Sequence, residues 1–200
     1  MWRLIIDEGN AYWNMAIDEV MLILKDNGLI PNTLRLYVFK PSAVTIGYFQ
    51  RIHESVNIEF VESRGIDYTR RISGGGSVYH DTNGEITYSI VASINDISRN
   101  IMDSYRIICN GIIGALKEFD LQATFVPIND VVVNGRKISG SAQSRRKNAL
   151  LQHGTLMYNT DLITLSKALK VPKEKLLSHK VTSIFERVTT ISRELGGKVM

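Results

Sequence analysis

The chain has 200 residues, 44% hydrophobic and 22% charged, which suits one domain with a substantial core and excludes a disordered or fibrous protein. No apolar run reaches the roughly 18 residues of a membrane span, and the opening MWRLIIDEGN lacks the basic, apolar and small-residue succession of a signal peptide. A single cysteine, Cys109, excludes an internal disulfide and points to a cytoplasmic chain, while 24 Lys and Arg against 20 Asp and Glu give a formal charge of +4, compatible with an anionic ligand or an acidic partner protein.

Residues 2–7 read as a strand. Asn10 is placed to cap a helix running to about residue 26, where Asn27-Gly28 ends it. Strands are expected at 33–39 and 43–49, separated by Lys40-Pro41-Ser42, and a short helix at 57–64 leads into DYTRRI. The β-branched run EITYSIVAS at 85–93 is expected to pair with the preceding SVYHD across an Asp81-Thr82-Asn83-Gly84 hairpin turn. Apolar residues at three- and four-residue steps from Ile101 to Phe119 predict a helix over 99–119, with Ser98 as its cap. Short strands are expected in 123–158 (ATFVPI, DVVVNG, RKISGSA and ALLQHGTLMY), with a hairpin at Asn134-Gly135. Helices are expected at 161–169, near 173–177 and at 189–195. No repeat or linker interrupts the chain, so the pattern predicts a single α+β unit over residues 1–200, its sheet mixed or mostly antiparallel.

Two stretches carry chemistry. In RRISGGGSVYHD, residues 70–81, Gly74, Gly75 and Gly76 follow Arg70 and Arg71 directly. Three glycines in strand-rich sequence make either a bare turn or a place where backbone amides approach an anion, and the neighbouring guanidinium groups favour the anion. No GxxxxGK[ST] or GxGxxG pattern is present, so this is neither a P-loop nor a dinucleotide fingerprint. In NDVVVNGRKISGSAQ, residues 129–143, Lys137 sits just past a turn, followed by Ser139, Gly140, Ser141 and Ala142, which leave room for a ligand. It is either a solvent-facing strand lysine or a fixed ammonium. Asp130 is a candidate ligand for Mg²⁺.

RRISGGGSVYHD, ND before VVVNGRKISGSAQ, and then LLQHGTL resemble the lipoate–protein ligase family, within the biotin/lipoyl ligase superfamily. The likeness runs through the whole chain, from NMAIDEVML to VTSIFERVT. It implies a biotin/lipoyl ligase-like catalytic domain that activates lipoate with ATP and Mg²⁺ to lipoyl-AMP and transfers it to a lysine of a lipoyl carrier domain, of 2-oxoacid dehydrogenase or glycine cleavage type. It implies that Lys137 is the catalytic residue, touching acyl carbonyl and phosphate, and that Arg70 and Arg71 contact the nucleotide. By the same resemblance Gly74, Gly75, Gly76, Ser77, Val78 and Tyr79 line the acyl-adenylate slot, with His80 and His153 near it. Asp130 would hold Mg²⁺ beside Asn129; His153 equally reads as a packed structural histidine. Larger ligases of the family carry a C-terminal accessory domain that this chain lacks, so a small accessory subunit is expected as a partner.

A sibling class of the same fold transfers octanoyl groups through a cysteine thioester. Its nucleophile falls just before the lysine motif, where this chain has FVPINDVVV and no cysteine. Cys109 reads as a packed helix residue, which disfavours the transferase. A nucleic-acid binder would interleave stacking aromatics with the basic residues, and none flank Arg136-Lys137 or Arg145-Arg146-Lys147. Neither nucleic acid nor a membrane is expected as a partner.

Overall fold

The strands of the chain assemble into two sheets rather than one, in a computed structural model that describes residues 1–170 and 184–197. The helix expected near 173–177 and residues 198–200 lie outside the described residues.

The larger sheet has seven strands in the order β1-β2-β6-β10-β9-β8-β7: β1 is Trp2–Gly9, β2 Asn32–Phe39, β6 Glu85–Ser93, β10 Ala149–Met157, β9 Arg136–Arg145, β8 Asp130–Val133 and β7 Ala123–Val126. Only its β1–β2 edge is parallel; the other pairings are antiparallel. The smaller sheet, β4-β3-β5, consists of Asp67–Arg70, Ala43–Ile46 and Val78–His80, with β3 parallel to β4 and antiparallel to β5. The architecture is thus α+β and antiparallel-rich, as the patterning predicts.

β10 is buried along nearly its whole length because both of its faces are covered. Leu151 packs with Met21 and Leu22 of helix α1 (Ala11–Asp26), whereas Leu150 packs with Ile108 of helix α4 (Ile101–Lys117). Successive strand residues point to opposite faces, so His153 lies on the α1 side and Gln152 on the α4 side. Helix α1 begins where expected, with the Asn10 side chain accepting from Trp13 N. Helix α4 is capped two residues later than expected, by Asn100 rather than Ser98. It buries Tyr105, Ile108, Cys109 and Leu116 and leaves Ile101 exposed, and it ends at Lys117, before the exposed Phe119. Short helices α2 (Ile52–Ser55) and α3 (Ile58–Ser63) precede β4. Beyond β10 come α5 (Leu162–Ala168), α6 (Ile184–Arg187) and α7 (Ile191–Glu194), with Asp161 capping α5.

One expected pairing is corrected. β5 does not form a hairpin with β6: it pairs with β3, and the Asp81–Gly84 turn carries the chain from the small sheet into the large one. The turn closes locally, with Glu85 N donating to Asp81 O at 3.1 Å. Gly84, however, is pressed against the Asn159–Thr160 backbone beyond β10, where a Cβ would collide. The strand expected at 43–49 likewise stops at Ile46, because Gly47 abuts the backbone of Gly74 and Gly75.

Candidate active site

A cavity of about 860 Å³ opens between the two sheets and is walled by the segments that carry both sequence motifs. Gly75, Gly76, Ser77, Val78, Tyr79 and His80 line it, as do Asn129, Asp130, Lys137, His153 and Arg71. Arg70 and Gly74 are not among the lining residues. The two motifs, some 60 positions apart, are therefore brought together.

Arg71 does not point its donors at a ligand. Arg71 is buried, and its Nε donates to Ser73 Oγ at 3.1 Å. Its Nη1 donates to Thr45 O and Oγ1 at 3.3 and 3.4 Å, and its Nη2 to the carbonyls of Gly74 and Gly76 at 2.6 and 2.8 Å. These acceptors account for all the N–H groups a guanidinium has. Burial without a carboxylate partner lowers its pKa to about 10. Arg70 donates from Nη1 to the carbonyls of Gly47, Tyr48 and Gln50. Both guanidinium groups thus hold loops together. The glycines permit this arrangement: Gly75 has φ +96°, and its carbonyl lies where a Cβ on Gly47 would fall.

Lys137 is different. Its Nζ lies 2.6 Å from Asp130 Oδ1, and the two side chains keep 28% and 21% of their surface exposed. Asp130 Oδ1 accepts no hydrogen bond from any other described group. Asp130 faces Gly140 directly across the β8–β9 ladder. A Cβ on Gly140 would collide with Lys137 Cε and Nζ, so the lysine folds back across the glycine to reach the carboxylate. The small residues after Lys137, expected to make room for a ligand, first make room for the lysine itself. The strand is held at this point by Thr189 N donating to Lys137 O at 2.8 Å, and Asn129 Nδ2 donates to the carbonyl of Ser141.

Both histidines are buried and fully engaged. His80 stacks on Phe39 with ring centroids 4.0 Å apart, its Nδ1 lies 2.7 Å from Glu85 Oε1, and its Nε2 lies 3.0 Å from Thr45 Oγ1. Burial raises the pKa of Glu85, and the neighbouring His80 opposes that rise. His153 Nε2 lies 2.6 Å from Ser73 Oγ and its Nδ1 lies 2.9 Å from Asp18 Oδ2. A carboxylate can only accept, so Nδ1 carries the hydrogen and Nε2 accepts from the Ser73 hydroxyl. Asp18 also receives Arg35 Nη1 at 3.3 Å and the Tyr37 hydroxyl at 3.0 Å.

Sequence reading missed Asp18, Thr45 and Glu85, which hold the two histidines, and Gly47, which admits the loop crossing, and it read Gly140 as room for a ligand rather than for the lysine. Gly47 and Gly140 carried a signal, as glycines inside strand-forming stretches; the others carried none. Asp130, the residue expected to hold Mg²⁺, offers a single carboxylate to the cavity. The Asp130 carboxylate is engaged by an ammonium, and no cluster of three His, Cys, Asp or Glu side chains occurs among the described residues.

The model of the lipoyl protein ligase A/B catalytic domain matches residues 10–200. Octanoyltransferase LipM of Kyrpidia tusciae is 33% identical, the match covering 98% of this chain and 80% of that protein. It is one of several LipM octanoyltransferases between 30% and 35% identical. Among solved structures, lipoate-protein ligase A bound with ATP superposes with a TM-score of 0.82 at 30% identity, covering 98% of this chain and 78% of that one. The bi-partite lipoate protein ligase from Thermoplasma acidophilum, described with its E2 lipoyl domain, gives a TM-score of 0.80 at 32% identity, over 96% and 74% of the two chains. The likeness to the lipoate ligases stands at the level of family and fold. The LipM relatives overturn ATP-dependent lipoate ligation through an acyl-adenylate as this chain's reaction. They back instead the octanoyltransferase, which the sequence disfavours for lack of a cysteine before the lysine motif. The geometry of Arg71 agrees, since all of its donors are taken up within the chain. By sequence and by fold, the chain belongs to the lipoyl protein ligase A/B catalytic domain family.

Proposed function

We propose that this chain is an octanoyltransferase, moving an octanoyl group from a carrier-bound thioester to a lysine of a lipoyl domain. The observation that carries the reading is its alignment with LipM octanoyltransferases over nearly its whole length. The lipoyl domain as acceptor draws on the Thermoplasma ligase described with its E2 lipoyl domain.

The site suits the reaction. The cavity falls in the range of small-molecule pockets, and Met15, Val78, Met157, Leu165 and Val188 give it an apolar lining for an eight-carbon chain. A thioester is already activated, so forming an amide from it needs no adenylation. The demand on the protein is to hold the acyl chain and to stabilise the negative charge that develops on the carbonyl oxygen. Lys137 supplies a fixed cation at the polar end. The accessory subunit expected for adenylation is not part of this reading.

The test is incubation with an octanoyl carrier-protein thioester and a lipoyl domain, without ATP, followed by the intact mass of the domain. A mass gain of one octanoyl group on its lysine is expected. Absence of that gain, with lipoate and ATP modifying the same domain, would overturn the reading.

A further inference from the structure

We propose that the free β1 edge of the seven-stranded sheet is a self-association surface, where β1 pairs antiparallel with β1 of a second copy of this chain. The pairing carries one sheet through both copies. It does not depend on the octanoyltransferase reading above.

The two edges of that sheet are finished differently. At the far edge β7 has four residues and runs straight into Pro127, and short strands and proline are ways of closing an edge to further pairing. β1 has eight residues and no proline, and no described residue pairs with its outer side. Lys40 N donates to Gly9 O at 2.9 Å, so Gly9 turns its backbone groups toward β2. These groups alternate in direction along a strand of a parallel pair, so Trp2, Leu4, Ile6 and Glu8 turn theirs outward. The first three of those residues are 51%, 58% and 73% exposed. Unpaired donors and acceptors thus coincide with exposed apolar side chains, which makes the edge a template for another strand.

The sequence of β1 selects a second copy as the occupant. A two-fold axis at Ile5 sets Leu4 opposite Ile6, Trp2 opposite Glu8 and Arg3 opposite Asp7 of the other copy. The outward-turned residues then meet as hydrogen-bonded pairs, Leu4 with Ile6 and Trp2 with Glu8, each twice by symmetry. Arg3, Ile5 and Asp7 take the closer positions between them, with facing Cβ atoms about 4.5–5.5 Å apart. An axis at Leu4 sets Arg3 opposite Ile5, and one at Ile6 sets Asp7 opposite Ile5, so neither pairs the charges.

The surroundings of Asp7 favour the same register. Asp7 and Asp18 share the single guanidinium of Arg35, at 2.9 and 3.3 Å. The Asp7 side chain stays 29% exposed, and a carboxylate has room for further donors. Among the described residues Arg3 donates only from Nε, to Thr33 Oγ1 at 3.2 Å, which leaves its two terminal nitrogens for Asp7 of the second copy. Both charges lie on the α1 side of the strand with Ile5, which packs against Met21 and Leu22.

Sedimentation of the full chain at micromolar concentration tests this, and a species of twice 22.5 kDa is expected. Ile6→Lys and Arg3→Glu should each raise the dimer dissociation constant by about tenfold or more, since each change acts twice across the axis. Their circular dichroism and urea midpoints should stay close to those of the unaltered chain, and Arg3→Lys should keep the dimer. Mild oxidation should link Ile5→Cys copies by a disulfide, because residue 5 faces itself. Trp2→Cys copies, set about 20 Å apart in this register, should not link. A monomer, a dimer that survives both Ile6→Lys and Arg3→Glu, or linking through position 2 rather than position 5 would each overturn the proposal. A monomer whose binding to a lipoyl domain is lost in Ile6→Lys would give the edge to that partner and overturn self-pairing equally.

Discussion

The glycine loop at 70–76 and the β8–β9 strip at 130–140 contribute cations to the same cavity region, yet those cations differ in kind. Arg71 is buried and surrounded by carbonyl and hydroxyl oxygens of its own chain, with every donor answered. Lys137 has one charged partner and keeps part of its surface in the cavity. A cation whose hydrogen bonds are completed internally holds structure, because moving it toward a ligand would orphan several buried acceptors at about 1–3 kcal/mol each. A cation paired once, at a partly exposed position, can exchange or share that partner with a substrate at little cost. The location of positive charge in a sequence therefore matters less than whether its donors are already used.

Four substitutions probe this contrast. Lys137→Ala should lower octanoyl transfer by about 1,000-fold while leaving the urea unfolding midpoint close to that of the unaltered chain; a comparable loss of stability would place Lys137 with the structural cations. Arg71→Met should do the reverse, costing about 3 kcal/mol in urea unfolding through the unmet acceptors Thr45 O, Gly74 O and Gly76 O. If Arg71→Met unfolds like the original protein and only activity falls, the loop-holding role is wrong. Gly140→Ala should retain the fold but displace the flexible end of Lys137 from Asp130, with a loss of about tenfold in turnover; unchanged kinetics would show that the pairing has no part in the reaction. Arg70→Gln should have the smallest effect, about 1 kcal/mol or less, seen as a slight fall in thermal midpoint, since its carbonyl partners at Tyr48 and Gln50 lie in an exposed loop.

Much of the fold could be read before the structure. The Asn10 cap, the strands at 33–39 and 85–93 and the α4 helix follow from periodicity and capping chemistry, which act over a few residues. The partner of β5 could not be read, because a closed turn at Asp81–Gly84 fits either a hairpin or a crossing between sheets. The packing of Gly84 on residues 159–160, some 75 positions away, selects the crossing. The site divides similarly. Lys137, the glycines and His80 stood out by composition, whereas Asp18 and Glu85 look like any other acidic residues until the fold brings them against His153 and His80. The segment before the lysine motif has no cysteine and so speaks against the transferase, yet over nearly its whole length the chain is similar to octanoyltransferases.

The sequence by itself determined the family, the α+β class and the two motifs, because each is written in contiguous residues whose spacing fixes local geometry. Only the tertiary structure decided what the charges do. Whether a guanidinium meets backbone carbonyls or a substrate, and whether a lysine finds a carboxylate across a strand ladder, depends on residues distant in the chain whose contacts no local pattern encodes.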